Sequence, residues 1–592
     1  MTQKQSDKKI KAWHSIILIL SIIGLTTCVL VLLPQVRQMI LAFLAEHVIH
    51  KETSINPIYN DLFFKFAIIG ISFILFLNYC IFINSGKLLV EKVKQEIKDC
   101  LSEIDFRFLL KPSLILLGVY LLGILTIVRA NFLYKDDVWR AAAGSRGWFN
   151  WSRYVSEFFS IFVHADTNLT EISPLPQLLA ILFITAGSII LVYVLTRKIT
   201  IIRLLASIPL GLSPYFLESL AFKFDSPYMA LSVLASIFPF LFIARKKAFL
   251  FISVISLLIM CMTYQSSSGV YMLIVVILCF QYWNNKEKTN REILSFLGLS
   301  VFAFCFSMLF FRFFLMKPIT SDDVYALTTI HPMPQIISGT LNNIKDYLMF
   351  INKDFGLIWK IGIIFVLLFF IIKSVSCSKQ RKVLSFFVLL IVVVLSFILS
   401  YGLYSLLEKP SYRPCALLGF GVFLAIMCIY IVSNYKKIAV IPVIALNWCF
   451  FVFAFSYGNA LADQARYAEF RIGIILHDLS VLYPNQNKEE MSIQFSNSID
   501  LSPSVKNIAK KYPVIERIVP SRVSDYILDY FYFLNFFNFN NYNINNLDVI
   551  NLNPDLNIEF INFSSLNLPV VLDSYYHTIQ SDGNHVLIVL KH

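Results

Sequence analysis

SLILLGVYLLGILTIVRA (residues 113–130) runs straight into NFLYKDDVWR (131–140). The first stretch carries a single charge, Arg129, one residue from its end. As a helix it is long enough to cross the roughly 30 Å of hydrocarbon in a bilayer. The second stretch packs two carboxylates and two cations into ten residues. An apolar span that delivers a dense charged cluster to a membrane surface is the unit from which the rest of the chain is read.

Moving outward, apolar windows of similar length fall at 14–33, 62–84, 177–195, 199–217, 228–244, 247–263, 268–283, 292–316, 355–373, 383–407, 414–433 and 438–457, thirteen in all with 113–130. Composition agrees: of 592 residues 57% are hydrophobic, only 15% are charged and 55 are Phe, and the mean hydropathy is +0.69. Soluble proteins carry about 25% charged residues, so most of this surface is expected to be solvated by lipid. The reading is a polytopic α-helical membrane protein of about 13 spans. The windows 228–244 and 247–263 form a tight hairpin around Arg245-Lys246-Lys247, and the short eighth window is the candidate for partial re-entrance. Lys8-Lys9-Ile10-Lys11 precedes an apolar stretch without a small-residue cleavage pattern, which reads as a retained first span rather than a signal peptide.

The net charge of +13 raises the question of nucleic acid, which would need a basic stripe on one soluble face. Here Lys and Arg sit in the short gaps between apolar runs, where they report topology, so nucleic acid is excluded as a partner and membrane lipid is the expected surroundings. With the N-terminus cytoplasmic, the inside segments carry 25 Lys and Arg and the outside loops 12, as the positive-inside rule requires. An odd number of spans then places the C-terminus outside. The ten Cys are scattered, with no CxxC pair and no His/Cys ligand spacing, so neither a disulfide framework nor a metal site is indicated.

Two outside segments stand apart. Residues 131–176 form a polar loop rich in Asp, Arg and Trp. Within it, Trp151, Tyr154, Val155, Phe158, Phe159 and Phe162 share one helical face of the stretch 148–162, with Arg153, Ser156, Glu157 and Ser160 opposite. That is either an interfacial helix or a loop helix packed on neighbouring spans. Residues 458–592 read as a C-terminal α/β domain of about 130 residues, enough for a small core of its own. Helices are expected at 463–484, at 503–511 behind a Ser502 N-cap, and at 522–533. Strands are expected at Met491–Phe495, Val570–Asp573, His577–Ile579 and Val586–Lys591, the last two joined by the turn Ser581-Asp582-Gly583-Asn584. Asn538–Asn553 reads as a long loop.

The span centres are nearly free of charge; Lys65, Arg312 and Lys360 lie close enough to an end to snorkel. This argues against an ion-coupled transporter, which needs ionisable groups at the midplane. The chemistry is expected in the outside loops. Asp136 and Asp137 can supply a general base, or can pair with Arg140 or Lys135 in a solvated loop. Arg140, Arg146 and Arg153 can meet a phosphate with forked donors. Glu218, Lys223 and Asp225 crowd a short Pro-bounded hairpin, and the Tyr264-Gln265 pair ends another span with an amide suited to a sugar hydroxyl. Arg413 begins a late span, as a headgroup anchor or a phosphate ligand. Asp322-Asp323 is taken as solvated. No nucleotide-phosphate loop, Rossmann fingerprint or Ser/His/Asp arrangement is present.

In order along the chain, these pieces resemble the serotype-converting O-antigen glucosyltransferases of the GtrII type, polytopic enzymes of the GT-C superfamily. The resemblance runs from Asp136-Asp137-x-x-Arg140, Gly147-Trp148 and Arg153 through Ile172-Ser173-Pro174-Leu175-Pro176-Gln177, then Pro214-Tyr215-Phe216-Leu217-Glu218 with Phe224-Asp225-Ser226-Pro227. It continues in Tyr264-Gln265, Arg413 with Leu418-Gly419-Phe420-Gly421, and Ser456-Tyr457-Gly458-Asn459-Ala460 with Gln464, Arg466 and Tyr467, covering residues 120–480 or so. It implies transfer of a sugar, glucose in that family, from an undecaprenyl-phosphate carrier to a lipid-linked O-antigen or related glycan, without a resident cofactor. The setting it implies is the periplasmic face of a bacterial inner membrane. Asp136 or Asp137 would be the base. Arg140, Arg146, Arg153, Lys223 and Arg413 would face the donor phosphate, and Trp148, Glu218, Asp225, Tyr264 and Gln265 the sugar or acceptor. One departure is that GT-C enzymes present this loop after their first span, whereas here it follows the third. Residues 1–112 are therefore read as a two-span extension, 113–457 as the catalytic membrane domain with its loop at 131–176, and 458–592 as the periplasmic domain.

Two other functions share this topology. A flippase for lipid-linked sugars would need a charged cavity between the spans. An O-antigen polymerase would need a large basic loop between later spans, and the 317–354 loop holds only Lys317, Lys345 and Lys353.

Overall fold

An apolar segment in lipid can satisfy its own N–H and C=O groups by coiling into a helix, and the computed structural model is a bundle of such helices. It describes residues 17, 20–44, 57–102, 109–317, 329–433, 437–521, 543–544 and 562–591. Among these, nine helices are long and apolar enough to cross a membrane, and a tenth span arises if the bent pair Ile201–Leu212 and Pro214–Ala221 is counted as one. The windows 14–33 and 228–244 fall on shorter apolar helices, Leu20–Leu32 and Ser226–Phe242, and 247–263 on the helix Lys246–Cys261.

The break expected in the eighth window lies instead in the fifth. Gln265–Asn284 is continuous and 72% buried. The 63° bend falls at Ser213, whose extended backbone (φ −61°, ψ 147°) precedes Pro214. A proline has no N–H to continue the ladder and disfavours helical geometry in the residue before it. Gly421 fits against this break: a Cβ there would collide with the Pro209 carbonyl and the Ser213 side chain. Gly421 belongs to Pro414–Val432, which is entirely buried within the bundle. Outer helices such as Leu357–Ser376 are only 22% buried and turn their apolar side chains outward, as lipid solvation predicts.

The last window and the first tail helix are one element. Ile441–Leu482 runs for 42 residues without interruption, where 438–457 and 463–484 had been read as separate. Nothing at Tyr457-Gly458-Asn459 caps or breaks a helix. Gly458 is there for packing: a Cβ would strike the backbone of Thr126 in the helix Leu110–Ala130, and the two helices lie side by side.

Beyond this long helix, the tail folds into a mixed sheet in the order β2-β1-β5-β4-β3. The strands are β1 (Ser492–Ser496), β2 (Asn543–Ile544), β3 (Val570–Asp573), β4 (His577–Ser581) and β5 (His585–Leu590). β1 pairs parallel with β5 and β2, while β3, β4 and β5 pair antiparallel. The β4–β5 hairpin turns through Gly583 at φ +106°. Ser502 accepts the Val505 N–H and caps the tail helix Pro503–Lys511, as expected. The sheet shares its core with the second half of the long helix and touches the polar loop. Ile493, Phe495, Ile579, Val586 and Ile588 pack on Ile472, Ile475 and Leu479 of the long helix and on Val138 of the polar loop. Val505, Val514, Ile515 and Ile518 join the apolar core of the bundle. The expected helix 522–533, most of the Asn-rich stretch, the Asp322-Asp323 pair and residues 1–16 lie outside the described residues.

The loop 131–176 departs from the expected continuous helix at 148–162. A short 3-10 turn, Trp148–Trp151, is followed by Ser152 in the left-handed region (φ +58°), and only then by the helix Tyr154–His164. Along that helix Ser156, Ser160 and His164 are buried while Phe158, Phe159 and Phe162 are exposed (57%, 45% and 67%). Its apolar face points outward, the reverse of a helix solvated by water. Phe66, from the helix Pro57–Phe82, meets Tyr154 edge-on at 5.4 Å.

Candidate active site

A cavity of about 370 Å³ opens where the polar loop meets the ends of the central helices. It falls within the usual range for small-ligand sites, about 300–1,000 Å³. Its lining includes Asp136, Arg140, Arg153, Asp225, Tyr264, Gln265 and Arg413. These seven were singled out from the sequence, and residues up to 277 positions apart converge here because one end of each helix delivers them.

The two neighbouring carboxylates do different things. Asp136 and Asp137 open the helix Asp136–Ala143, where the helix dipole favours negative charge. Successive side chains on a helix point about 100° apart. Asp136 therefore faces the cavity, half-buried, with no hydrogen-bond or ion-pair partner for its carboxylate among the described residues. Asp137 points the other way and is fully buried. It accepts N–H groups from Tyr134 (3.0 Å), Lys223 (2.9 Å) and Phe224 (3.3 Å), pinning the loop to the hairpin after Ala221. Burial pushes the Asp137 carboxyl up to about 8, with the nearby Asp225 charge adding to the rise against the pull of those three donors.

Asp225 is held from behind. Arg140 Nε lies 3.1 Å from its Oδ2, with each side chain 4% exposed. The Trp148 indole N–H donates to Oδ1, and Arg153 approaches to 4.0 Å. The Arg140 guanidinium stacks over the Trp148 ring at 4.2 Å and that of Arg153 over Tyr264 at 4.9 Å, so both cations are fixed by ring faces as well as by charge. Trp148 is fully buried and backs the site without lining it.

Three other expected ligands are used inside the protein. Arg146 pairs with Glu157 at 3.3 Å, and the other Glu157 oxygen accepts the Phe149 N–H; together they fasten the Phe-bearing helix to the loop. Lys223 is buried between Glu171 and Asn131, tying the two ends of the loop together. Glu218 is fully buried and accepts from the Tyr134 hydroxyl (2.7 Å), from Lys135 Nζ (2.8 Å) and from the Cys415 N–H. Lys135 reaches it from a left-handed backbone (φ 44°), a conformation of some cost that its surroundings must enforce.

The cavity also contains side chains that sequence had not selected. Arg312 and Lys317 line it, at and just beyond the end of the helix Asn290–Phe310, whose final turn is a π-helix over Phe311–Leu315. Burial lowers the Lys317 ammonium below its ordinary range. Tyr404, Ser411 and Ser268 add hydroxyls. The signal for Arg312 was present, a charge at the end of an apolar run, but snorkelling explains such a charge equally well. Among the described lining residues, five cations, Arg140, Arg153, Arg312, Lys317 and Arg413, stand beside two carboxylates, Asp136 and Asp225. Such a site suits an anion beside an apolar moiety, with one unpaired carboxylate at its edge.

Comparison with known proteins identifies a family. The family model described as Glucosyl transferase GtrII matches residues 125–444, from the end of the helix before the loop to the start of the long helix. An uncharacterised 55.3 kDa protein encoded 5′ of gtrB in Salmonella phage P22 is 23% identical over 440 residues, which are 69% of this chain and 87% of that protein. No solved structure is significantly similar.

Proposed function

The chain belongs to the GtrII glucosyl transferase family, and from that premise we propose that it moves a glucosyl unit from a polyprenyl phosphate, undecaprenyl phosphate in a bacterial membrane, to a hydroxyl of a lipid-linked O-antigen. The observation that carries this reading is the cavity itself, where the unpartnered Asp136 faces five cations. A polyprenyl-phosphate sugar keeps its isoprenoid in lipid and its anomeric carbon at the interface, so base and phosphate ligands must meet at that boundary. The outward Phe row of Tyr154–His164 supports a position in the membrane surface.

In the proposed step an acceptor hydroxyl attacks the anomeric carbon. Asp136 takes its proton as the new C–O bond forms. The bond to the phosphate oxygen breaks, and Arg153 and Arg413 stabilise the charge that develops there. Arg140 and Asp225 brace each other and fix the floor, with Gln265 and Tyr264 beside the sugar. Asp137 holds the loop and takes no part in proton transfer. The step uses no nucleotide, metal or resident cofactor. The reading places the site on the periplasmic side of the inner membrane, with the N-terminus cytoplasmic and an odd number of spans, as the distribution of Lys and Arg favours.

Reconstitution tests this. Purified protein in liposomes with glucosyl undecaprenyl phosphate and O-antigen lipid is expected to release undecaprenyl phosphate and lengthen the glycan by one hexose. A protein that consumes no lipid-linked sugar under these conditions contradicts the reading.

A further inference from the structure

Pro410–Arg413 is not helical and a 3-10 turn, Pro414–Leu417, begins directly after it, so the backbone that carries this cavity-lining cation is fixed by contacts to its neighbours. Three such contacts are made. The Tyr401 hydroxyl donates to the Ser411 carbonyl at 3.0 Å, Glu218 accepts the Cys415 N–H, and Arg517 donates to the Tyr412 carbonyl. The last comes from the tail, 104 positions further along the chain and outside the stretch that matches the family, 125–444.

Arg517 is well fixed for such a task. Its other guanidinium nitrogen donates to Asp354, a carboxylate 1% exposed that also accepts the Tyr215 hydroxyl at 2.9 Å. The Phe350 ring lies beneath it at 4.5 Å and stacks in turn on Tyr412 at 4.8 Å. The next residue, Ile518, is fully buried. Its carbonyl accepts the Tyr457 hydroxyl at 3.1 Å and lies 2.9 Å from the Tyr134 oxygen, two residues before Asp136. One short tail segment thus touches both chain stretches that feed the cavity. A fork of two parallel donors is what an arginine supplies and a lysine does not.

We propose that Arg517 is a positioning residue for glucosyl transfer, acting through the Tyr412 carbonyl to hold Arg413 where the donor phosphate departs. The inference rests on the role given above to Arg413.

The test is a double-mutant cycle on full-length protein in liposomes, using glucosyl undecaprenyl phosphate as the donor. Arg517→Ala is expected to lower kcat at least about 10-fold, since small displacements of a reacting-site group can cost on the order of 100-fold. In an Arg413→Ala background, the same change should cost no more than about 2-fold, because residues acting through one another are not additive. Arg517→Lys should keep the charge beside Asp354 and wild-type thermal stability, yet stay impaired. Should Arg517→Ala fail to insert, the pair Arg517→Leu with Asp354→Asn removes the charge and its partner together, and is expected to fold and remain slow. Equal cost of Arg517→Ala in both backgrounds, or wild-type kcat in the Arg517 variants, overturns the proposal. Wild-type turnover by Arg413→Ala, or a wild type that consumes no donor, overturns the underlying reading instead.

Discussion

The loop 131–164 lines the cavity, and the tail stretch 503–519 lies behind it against Tyr412 and Tyr134, with opposite chemistry. The loop turns charge toward the opening. Asp136, Arg140 and Arg153 line it, and the apolar side chains Phe158, Phe159 and Phe162 are left on the outside. The tail stretch turns its apolar side chains inward, where Val505, Val514, Ile515 and Ile518 are fully buried, and its Arg517 is taken up by Asp354 and a backbone carbonyl. The two amphipathic stretches thus turn their apolar side chains in opposite directions, outward in the loop helix and inward in the tail. Asp137, Glu218 and Lys223 are taken up by partners inside the protein and build the frame, while the Asp136 carboxylate has no partner among the described residues and faces the cavity.

The largest consequence concerns the loop's frame. Arg140→Ala leaves Asp225 buried without its closest cation, with Arg153 no nearer than 4.0 Å, and losing one partner of a buried pair costs about 3–5 kcal/mol. Thermal unfolding in detergent should show a large drop in Tm, and a variant of unchanged stability would show that the Arg140–Asp225 pair does not support the loop.

Next comes the contrast between the two apolar faces. Ile515→Ala removes a buried side chain and should destabilise by about 2–5 kcal/mol. Phe158→Ala, on the outward face, should cost less than about 1 kcal/mol in detergent while weakening attachment to liposomes of the isolated Tyr154–His164 peptide. Similar losses of protein stability for the two would mean that the Phe row is packed on protein after all.

The smallest effect is a pH dependence. The Asp137 carboxyl is raised in the folded protein to about 8, above the roughly 3.9 of an exposed aspartate. Between those values the folded state binds more protons than the unfolded one, so this group's contribution is full below about pH 4 and is lost as pH rises toward 8. Wild-type Tm is expected to decline across pH 5–8 more steeply than that of Asp137→Asn. Parallel profiles would show that the three backbone donors keep Asp137 ionised throughout.

Much of this was legible from local pattern. The Ser502 cap, the strands at 570–573 and 577–579 (the latter two residues longer in the structure), the Gly583 turn and the apolar spans all follow from spacing within a few residues. Side-chain direction at the loop did not. Asp136 and Asp137 are indistinguishable in sequence, and only the docking of Lys223 and Phe224 backbone against one of them decides which faces the cavity. Arg146, Lys223 and Glu218 have the right chemistry for substrate ligands, yet each meets an internal partner from a distant segment. Arg312 and Lys317 run the other way, the first reading as a snorkelling charge and the second as a loop charge, yet both line the cavity beside the π-turn at Phe311–Leu315. The single helix Ile441–Leu482 shows the same limit, since the change of composition near residue 458 does not break the helix.

The central claim is that Asp136 is the base and Asp137 the brace. The measurement that tests it most directly is the transfer rate from labelled glucosyl undecaprenyl phosphate by Asp136→Asn and Asp137→Asn proteins, normalised to the amount of correctly inserted, monodisperse protein. The account predicts that Asp136→Asn loses about 10²–10⁴-fold in kcat at wild-type stability, while Asp137→Asn retains kcat per folded molecule. Full turnover by Asp136→Asn, with the loss transferred to Asp137→Asn at unchanged stability, would contradict it.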